Sequence, residues 1–111
     1  MTYNQWDIVL LPFPFTNLKT NKKRPALIIS PKEYNLGLDI LVMFVTSNIN
    51  AEDRVGDYEL IEWKEAGLPK PSMTRMKFAT IDKNLVVKKI AALREVDIIQ
   101  LKKEIKTFLG L

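Results

Sequence analysis

The stretch Lys19–Ser30, KTNKKRPALIIS, joins a cationic segment to an apolar run. Its first six residues hold four cations: Lys19, Lys22, Lys23 and Arg24. The part RPALIIS then continues from a proline without polar alternation, which favours a strand buried on both faces. A concentrated positive charge is therefore predicted at the edge of a hydrophobic core.

Two further apolar runs flank this predicted strand. The run DIVLLPF (7–13) ends at prolines, which indicates a strand leaving the sheet. The run DILVMFVTS (39–47) has the same apolar character. Between the first two runs, TNLKTNK (16–22) is polar and favours a surface loop. Three strands are thus expected to form the early core, with the cations at a loop-to-strand junction.

The second half of the chain changes sign along its length. Residues 51–66 contain six acidic and two basic residues, and they predict a short strand near 58–61 followed by a helical turn near Trp63. Residues 69–89 contain six basic residues and one acidic residue, and alternation around 72–80 predicts another strand. The surface is therefore expected to be electrically polarised.

The C-terminal segment REVDIIQLKKEIKTFLGL predicts one amphipathic helix that closes the domain. Apolar residues recur at helical spacing, and Gly110 gives a stop signal. The apolar positions are Ile98, Leu101, Ile105 and Phe108.

Composition bounds the class of protein. With 111 residues, 47% hydrophobic and 27% charged, the chain is expected to form one folded domain, residues 1–111. A net charge of +4 favours a polyanionic partner. No apolar run approaches the ~18 residues of a membrane helix, so no membrane association and a cytoplasmic location are expected.

Cysteine and histidine are both absent. Their absence from the sequence excludes disulfides, Cys/His zinc sites, thiol nucleophiles and the Ser-His-Asp triad. It also excludes the pair of histidines that exchanges protons in many ribonucleases. Any catalysis must use arginine, lysine, hydroxyl, carboxyl or backbone groups.

Taken in order, DIVLLPFPFT, KKRPALIIS, FVTSN, LPKPSMTRMKFATIDKNLV and a terminal helix ending LGL resemble the MazF/PemK family of toxins from type II toxin–antitoxin modules. The resemblance covers nearly the whole chain. It implies an α+β fold of the MazF/CcdB type, in which a small twisted antiparallel sheet forms an SH3-like barrel with a C-terminal helix.

The resemblance also implies an activity. Family members are homodimers that cut single-stranded RNA without a metal ion or other cofactor, leaving a 2′,3′-cyclic phosphate and a 5′-hydroxyl. Their partner is an acidic cognate antitoxin. The family's catalytic arginine and threonine match Arg24 and Thr46.

The chemistry suits these residue types. Charge builds on the non-bridging phosphate oxygens as the 2′-oxygen attacks, and a planar, permanently charged guanidinium can hold two of them. Pro25 would fix the backbone beside Arg24, while Thr46 could donate a hydrogen bond. The proton acceptor stays open between water, Asp7 and electrostatic activation.

Further residues are expected to bind RNA. The three lysines of the first loop would attract the phosphate backbone, and Phe15 could stack on a base. The complete predicted set is Lys19, Lys22, Lys23, Phe15, Ser47, Asn48 and Lys77.

The sequence departs from the family at Lys77, usually polar and uncharged, and at Ala79, usually an arginine. These departures bear on the cleavage sequence and the strength of activity. The alternative hypotheses are a gyrase poison of the same fold and a degenerate member that only binds RNA or antitoxin.

Overall fold

A computed structural model describes residues 2–12, 22–50 and 52–111. The described residues form six strands and three α-helices. In chain order these are β1 (Asp7–Leu11), β2 (Arg24–Ile28), α1 (Lys32–Asn35), β3 (Asp39–Thr46), β4 (Tyr58–Glu59), α2 (Trp63–Ala66), β5 (Met73–Asp82), β6 (Lys88–Ala92) and α3 (Glu95–Leu109). A 3₁₀ turn, Lys83–Leu85, precedes β6.

All six strands belong to one antiparallel sheet, in the order β4-β5-β3-β2-β1-β6. Register shifts interrupt the β1–β6 pairing between Ile8 and Val9, and the β3–β5 pairing between Met43 and Phe44. Such irregularities bend a strand and increase its twist. The sheet accordingly curls into a half-barrel with the C-terminal helix, and the predicted α+β fold class is confirmed.

Two hydrophobic clusters lie on opposite faces of the central strands. On β2, Ala26 and Ile28 belong to one cluster and Leu27 to the other, because successive side chains of a strand point in opposite directions. All three are fully buried. The prediction that this strand is buried on both faces is therefore confirmed.

Helix α3 packs against the second cluster through three of its four predicted apolar positions, whereas the fourth, Phe108, is 43% exposed. Leu101 is fully buried there, with Ile98 and Ile105 partly buried beside it. The helix ends at Gly110, whose φ of 73° is a left-handed cap conformation. No helix within the described ranges is long and apolar enough to cross a membrane.

Asp97, in the first turn of α3, fixes the segment that follows β4. Its buried carboxylate accepts hydrogen bonds from the Tyr58 hydroxyl at 2.6 Å and from the backbone N–H groups of Ile61 and Glu62 at 2.8 and 2.9 Å. Burial, followed by the hydrogen bond to Asp97, raises the pKa of Tyr58. The helix start, β4 and the approach to α2 are thus joined at one carboxylate.

Helix α2 ends at Gly67, whose φ of 110° is in the left-handed region. A Cβ added there would lie 3.4 Å from the carbonyl oxygen of Ile90 on β6. The Leu68 N–H donates to the Trp63 carbonyl at 3.0 Å. Glycine therefore sets the course of the chain out of α2.

Arg75 forms a second internal anchor, between β5 and the segment before β4. Its Nη2 donates to the Glu52 carbonyl at 2.6 Å and lies 3.2 Å from Asp57 Oδ2. The same carboxylate oxygen accepts from the Arg54 N–H at 2.9 Å. Because the side chains of Arg75 and Asp57 are only 8% and 9% exposed, solvent screens this ion pair weakly.

The structure also differs from the sequence-based expectations. The predicted strand around 72–80 continues to Asp82, and β6 was not expected, because its first two residues are exposed lysines within a basic run. The strand near 58–61 is limited to Tyr58–Glu59, while the helical turn at Trp63 is confirmed. Most of the predicted first loop (16–22) lies outside the described residues.

Candidate nucleic-acid interface

Arg24 and Thr46, the two candidate catalytic residues, lie at the same end of the sheet. Arg24 begins β2 and Thr46 ends β3. The two strands pair antiparallel as far as Ala26 opposite Phe44, which is two residues from Arg24 on β2 and two residues from Thr46 on β3. The sheet register thus brings together side chains that are 22 positions apart in the sequence.

Both residues line a pocket of about 440 Å³ at this end of the sheet. Its walls come from the chain before β2, the end of β3, the segment after α2 and the start of β6. The lining residues are Leu10, Lys22, Lys23, Arg24, Pro25, Thr46, Ser47, Leu68, Pro69, Lys70, Ser72, Lys88 and Ile90.

The pocket is strongly cationic. Five of its lining residues carry positive charge, and none of the described lining residues is acidic. Three others carry hydroxyl groups: Thr46, Ser47 and Ser72. A concave surface with one sign of charge and several hydroxyl donors suits a phosphate group.

Arg24 supplies the least solvated cation described in the pocket. Its side chain is half-buried, whereas Lys22, Lys23, Lys70 and Lys88 are exposed. Its Nε is buried and has no hydrogen-bond partner among the described residues. A buried donor without a partner is costly, and the partly exposed remainder of the Arg24 side chain lines the pocket.

The hydroxyl of Thr46 is held in a tight turn. Its Oγ1 accepts a hydrogen bond from the Asn48 N–H at 3.1 Å. A threonine hydroxyl that accepts one bond can still donate its own hydrogen. The turn therefore orients Thr46 without using its donor.

The remaining predicted RNA-binding residues divide into groups. Lys22, Lys23 and Ser47 line the pocket, whereas Asn48 is exposed outside its lining. Lys77 is also outside it, with Nζ 5.6 Å from the ring centroid of Phe44. Lys19 and Phe15 lie outside the described residues.

Three polar residues of the pocket are not among the residues predicted from the sequence to form the site: Lys70, Ser72 and Lys88. Lys70 and Ser72 follow α2, and Lys88 begins β6 opposite Leu10 of β1. The two lysines belong to the basic run 69–89, which gives only a general indication of a charged surface. Their place in the pocket depends on the fold.

Asp7, one of the open choices for the proton acceptor, does not line the pocket. Its carboxylate is buried and fully engaged, with Oδ2 accepting from the Asn4 N–H at 2.9 Å and Oδ1 lying 3.1 Å from Lys89 Nζ. Asp7 therefore anchors the start of β1 and the edge strand. It is not positioned to take a proton from a ligand in the pocket.

Within the described part of the chain, no group of three or more His, Cys, Asp or Glu side chains could hold a metal ion.

Solved structures with the same fold extend over nearly the whole chain. An endoribonuclease in complex with its cognate antitoxin from a mycobacterial species superposes with a TM-score of 0.76 at 12% identity, covering 99% of this chain and 95% of that one. MazF from Deinococcus radiodurans gives 0.76 at 20% identity, covering 100% and 99%. The Mycobacterium tuberculosis toxin MazF-mt6 gives 0.75 at 19% identity, covering 95% and 97%.

Comparison by sequence gives a family that agrees with these solved structures. No curated protein matches the chain. The family model of the PemK-like, MazF-like toxins of type II toxin–antitoxin systems matches residues 4–109. The chain therefore belongs to the PemK-like, MazF-like family of toxins of type II toxin–antitoxin systems.

Proposed function

We propose that this protein is a sequence-specific, metal-independent endoribonuclease toxin that cuts single-stranded RNA, including mRNA. The observation that carries the proposal is the half-buried Arg24, which lines a cationic pocket together with Thr46. Membership of the toxin family and the endoribonuclease among the structures of this fold support it.

In the proposed reaction the 2′-oxygen of a ribose attacks the neighbouring phosphorus and loses its proton. The bond from phosphorus to the 5′-oxygen breaks, and that oxygen takes up a proton. The products are a 2′,3′-cyclic phosphate and a 5′-hydroxyl. Negative charge grows on the non-bridging oxygens during this exchange, and that is the charge the pocket would stabilise.

Arg24 would hold the reacting phosphate. Its guanidinium can donate two parallel hydrogen bonds to phosphate oxygens, and the start of β2 fixes its position in the sheet. Thr46, which lines the same pocket, would donate its hydroxyl hydrogen to the same group. Because the described lining contains no carboxylate and the chain has no histidine, stabilisation of charge is the pocket's main contribution.

The neighbouring lysines would draw the RNA backbone into place. Lys22 and Lys23 lie on one side of Arg24, and the structure adds Lys70 and Lys88. Lys19, Phe15, Ser47, Asn48 and Lys77 complete the proposed RNA-binding set. Long-range attraction of this kind weakens as salt rises.

The proposal includes two protein partners. A second copy of the chain would extend the groove, since one small sheet offers little length for several nucleotides. A cognate acidic antitoxin would neutralise the toxin, in keeping with the antitoxin-bound endoribonuclease of the same fold. The site of action would be the cytoplasm.

The test is cleavage of a mixed-sequence single-stranded RNA in EDTA, comparing the parent protein with Arg24→Ala and Arg24→Lys. The parent should give sequence-restricted cuts with cyclic phosphate ends. Arg24→Ala should lose about 10²–10³ in rate, since one fixed donor of charge stabilisation is removed. Arg24→Lys should recover only part, because it keeps the charge without the planar fork.

Folded, antitoxin-free parent protein that leaves the RNA intact would overturn the proposal. Damage to DNA only in the presence of gyrase would then favour the gyrase poison. A shift of RNA mobility without shortening would favour the degenerate binder.

A further inference from the structure

A second pocket, of about 250 Å³, lies between the chain before β1 and helix α3. It is lined by Gln5, Trp6, Ile29, Lys102, Ile105 and Lys106, and it shares none of these with the cationic pocket. Pro25 lines the cationic pocket and Ile29 lines the second one, and four residues of extended chain separate their Cα atoms by about 13 Å. The second pocket therefore belongs to another part of the surface.

Trp6 forms one wall in an unusual backbone conformation. Its φ of 76° makes it the one non-glycine residue with positive φ in the described ranges. The Trp6 N–H donates to the Ile28 carbonyl at 2.7 Å, and the Trp6 carbonyl accepts from the Leu93 N–H at 2.9 Å. These two hydrogen bonds hold Trp6 in a backbone conformation that is strained for a bulky residue. Backbone strain of this kind is common at functional sites.

Apolar atoms line the floor of the pocket. Trp6, Ile29 and Ile105 are each only partly buried against the second hydrophobic cluster. Gln5 closes the end, donating from Nε2 to the Ile29 carbonyl at 2.7 Å. The space suits a single large apolar side chain.

Two lysines at the rim give the pocket its charge. Lys102 Nζ lies 6.0 Å from the centroid of the Trp6 ring, and Lys106 follows one helical turn later. Like charges four residues apart disfavour each other. Glu104 is two residues from both, and residues so spaced do not face each other on a helix.

Neither lysine forms an ion pair with any described residue. The helix dipole favours Lys106 near the C-terminus, but it explains neither the like-charge pair nor the open apolar floor. A large apolar group flanked by negative charge would complement both the apolar floor and the two lysines.

We propose that this pocket docks an acidic segment of a partner protein through one large apolar side chain. The side chain would fill the space between Trp6 and Ile105, and flanking carboxylates would pair with Lys102 and Lys106. If the partner is the antitoxin, the inference rests on the proposed function. The pocket chemistry can be tested without it.

The experiment uses the full chain and the peptide acetyl-Glu-Glu-Leu-Glu-Glu-amide, followed by proton–nitrogen NMR. The chain has two tryptophans, so a single substitution at each assigns the two indole signals. We expect a saturable shift of the Trp6 signal while the Trp63 signal stays in place. Peptides with Ser for Leu, or Gln for every Glu, should each bind at least about tenfold more weakly.

Substitutions of lysines on α3, inside and outside the pocket lining, test which positive charges bind the peptide. Lys102→Glu combined with Lys106→Glu should weaken binding by about tenfold or more, since two attractive contacts become repulsive. Lys103→Glu makes the same kind of change on the same exposed helix but outside the pocket lining, and should leave affinity within about twofold. Trp6→Gly should abolish binding while keeping the circular dichroism of the parent.

The inference is overturned if the Trp6 signal does not shift with millimolar peptide, if the Ser peptide binds equally well, or if Lys103→Glu weakens binding as much as the double variant. RNA cleavage plays no part in this readout. Peptide binding by a protein that leaves RNA intact would overturn the nuclease alone, and cleavage without peptide binding would overturn the docking site alone.

Discussion

Two arginines on the same sheet, Arg24 and Arg75, are used in opposite ways. Both have a buried Nε without a described partner. Arg75 nevertheless has its charge matched internally, by Asp57 at 3.2 Å and the Glu52 carbonyl at 2.6 Å. Arg24 has no such ion pair among the described residues and faces a cationic pocket. A guanidinium matched within the fold stabilises structure, whereas one left unmatched at an opening is available to a ligand.

The strongest test of this contrast is the effect of Arg24→Ala on function against stability. The rate of RNA cleavage should fall by about 10²–10³, while the free energy of unfolding in urea should change by less than about 0.5 kcal/mol. Single-turnover cleavage and equilibrium unfolding on the same preparation measure the two. A loss of stability comparable to the loss in rate would mean that Arg24 is a structural arginine after all.

Arg75→Ala should have the reverse profile. Its removal leaves the Asp57 carboxylate buried without its cation, which should lower the free energy of unfolding by about 3 kcal/mol. Urea denaturation gives the value. Arg54→Ala is the matched control, because the exposed Arg54 contacts Asp57 only through its backbone N–H, and it should change stability by less than about 0.5 kcal/mol. Equal effects of the two substitutions would remove the Arg75–Asp57 pair as the cause.

Substitutions at Thr46 test whether its hydroxyl contributes to cleavage in the pocket that contains Arg24. Thr46→Val keeps the shape but removes the hydroxyl, so cleavage should slow by about tenfold, the effect of one lost hydrogen bond. Thr46→Ser keeps the donor and should retain a rate within a few-fold of the parent. If valine and serine reduce the rate equally, the methyl packing of Thr46 matters and its hydroxyl does not.

The smallest expected effects belong to Lys70 and Lys88. Each change to alanine should weaken RNA binding a few-fold and reduce the slope of log affinity against log salt by about 0.7, the value for one phosphate contact with a single strand. Lys103→Ala, on α3, is the control and should leave the slope unchanged. An unchanged slope for Lys70→Ala or Lys88→Ala would place that lysine outside the RNA path.

Local pattern predicted much of the fold. β1, β2 and β3 are largely apolar runs, and α3 has a clear helical period, so the sequence predicts each of them without knowledge of its neighbours. β6 was not, because KKIAA begins with two lysines and has too few apolar residues to indicate a strand. Its place at the edge beside β1 is set by tertiary pairing.

The candidate site could be predicted only in part. Arg24 and Thr46 were matched through the family resemblance, and antiparallel pairing explains why the start of one strand meets the end of the other. Lys70 and Lys88 could not be separated from an ordinary solvated face. They reach the pocket from segments that are distant in the sequence from Arg24 and Thr46. A local sequence pattern does not predict contacts between distant segments.

Gly67 has a consequence for binding entropy. Its left-handed backbone directs the chain from α2 into the segment that supplies Leu68, Pro69, Lys70 and Ser72 to the cationic pocket. Pro69 and Pro71 restrict the same segment further. This wall is therefore ordered before any ligand arrives, and contacts made to it need not offset the loss of backbone freedom that a flexible wall would suffer.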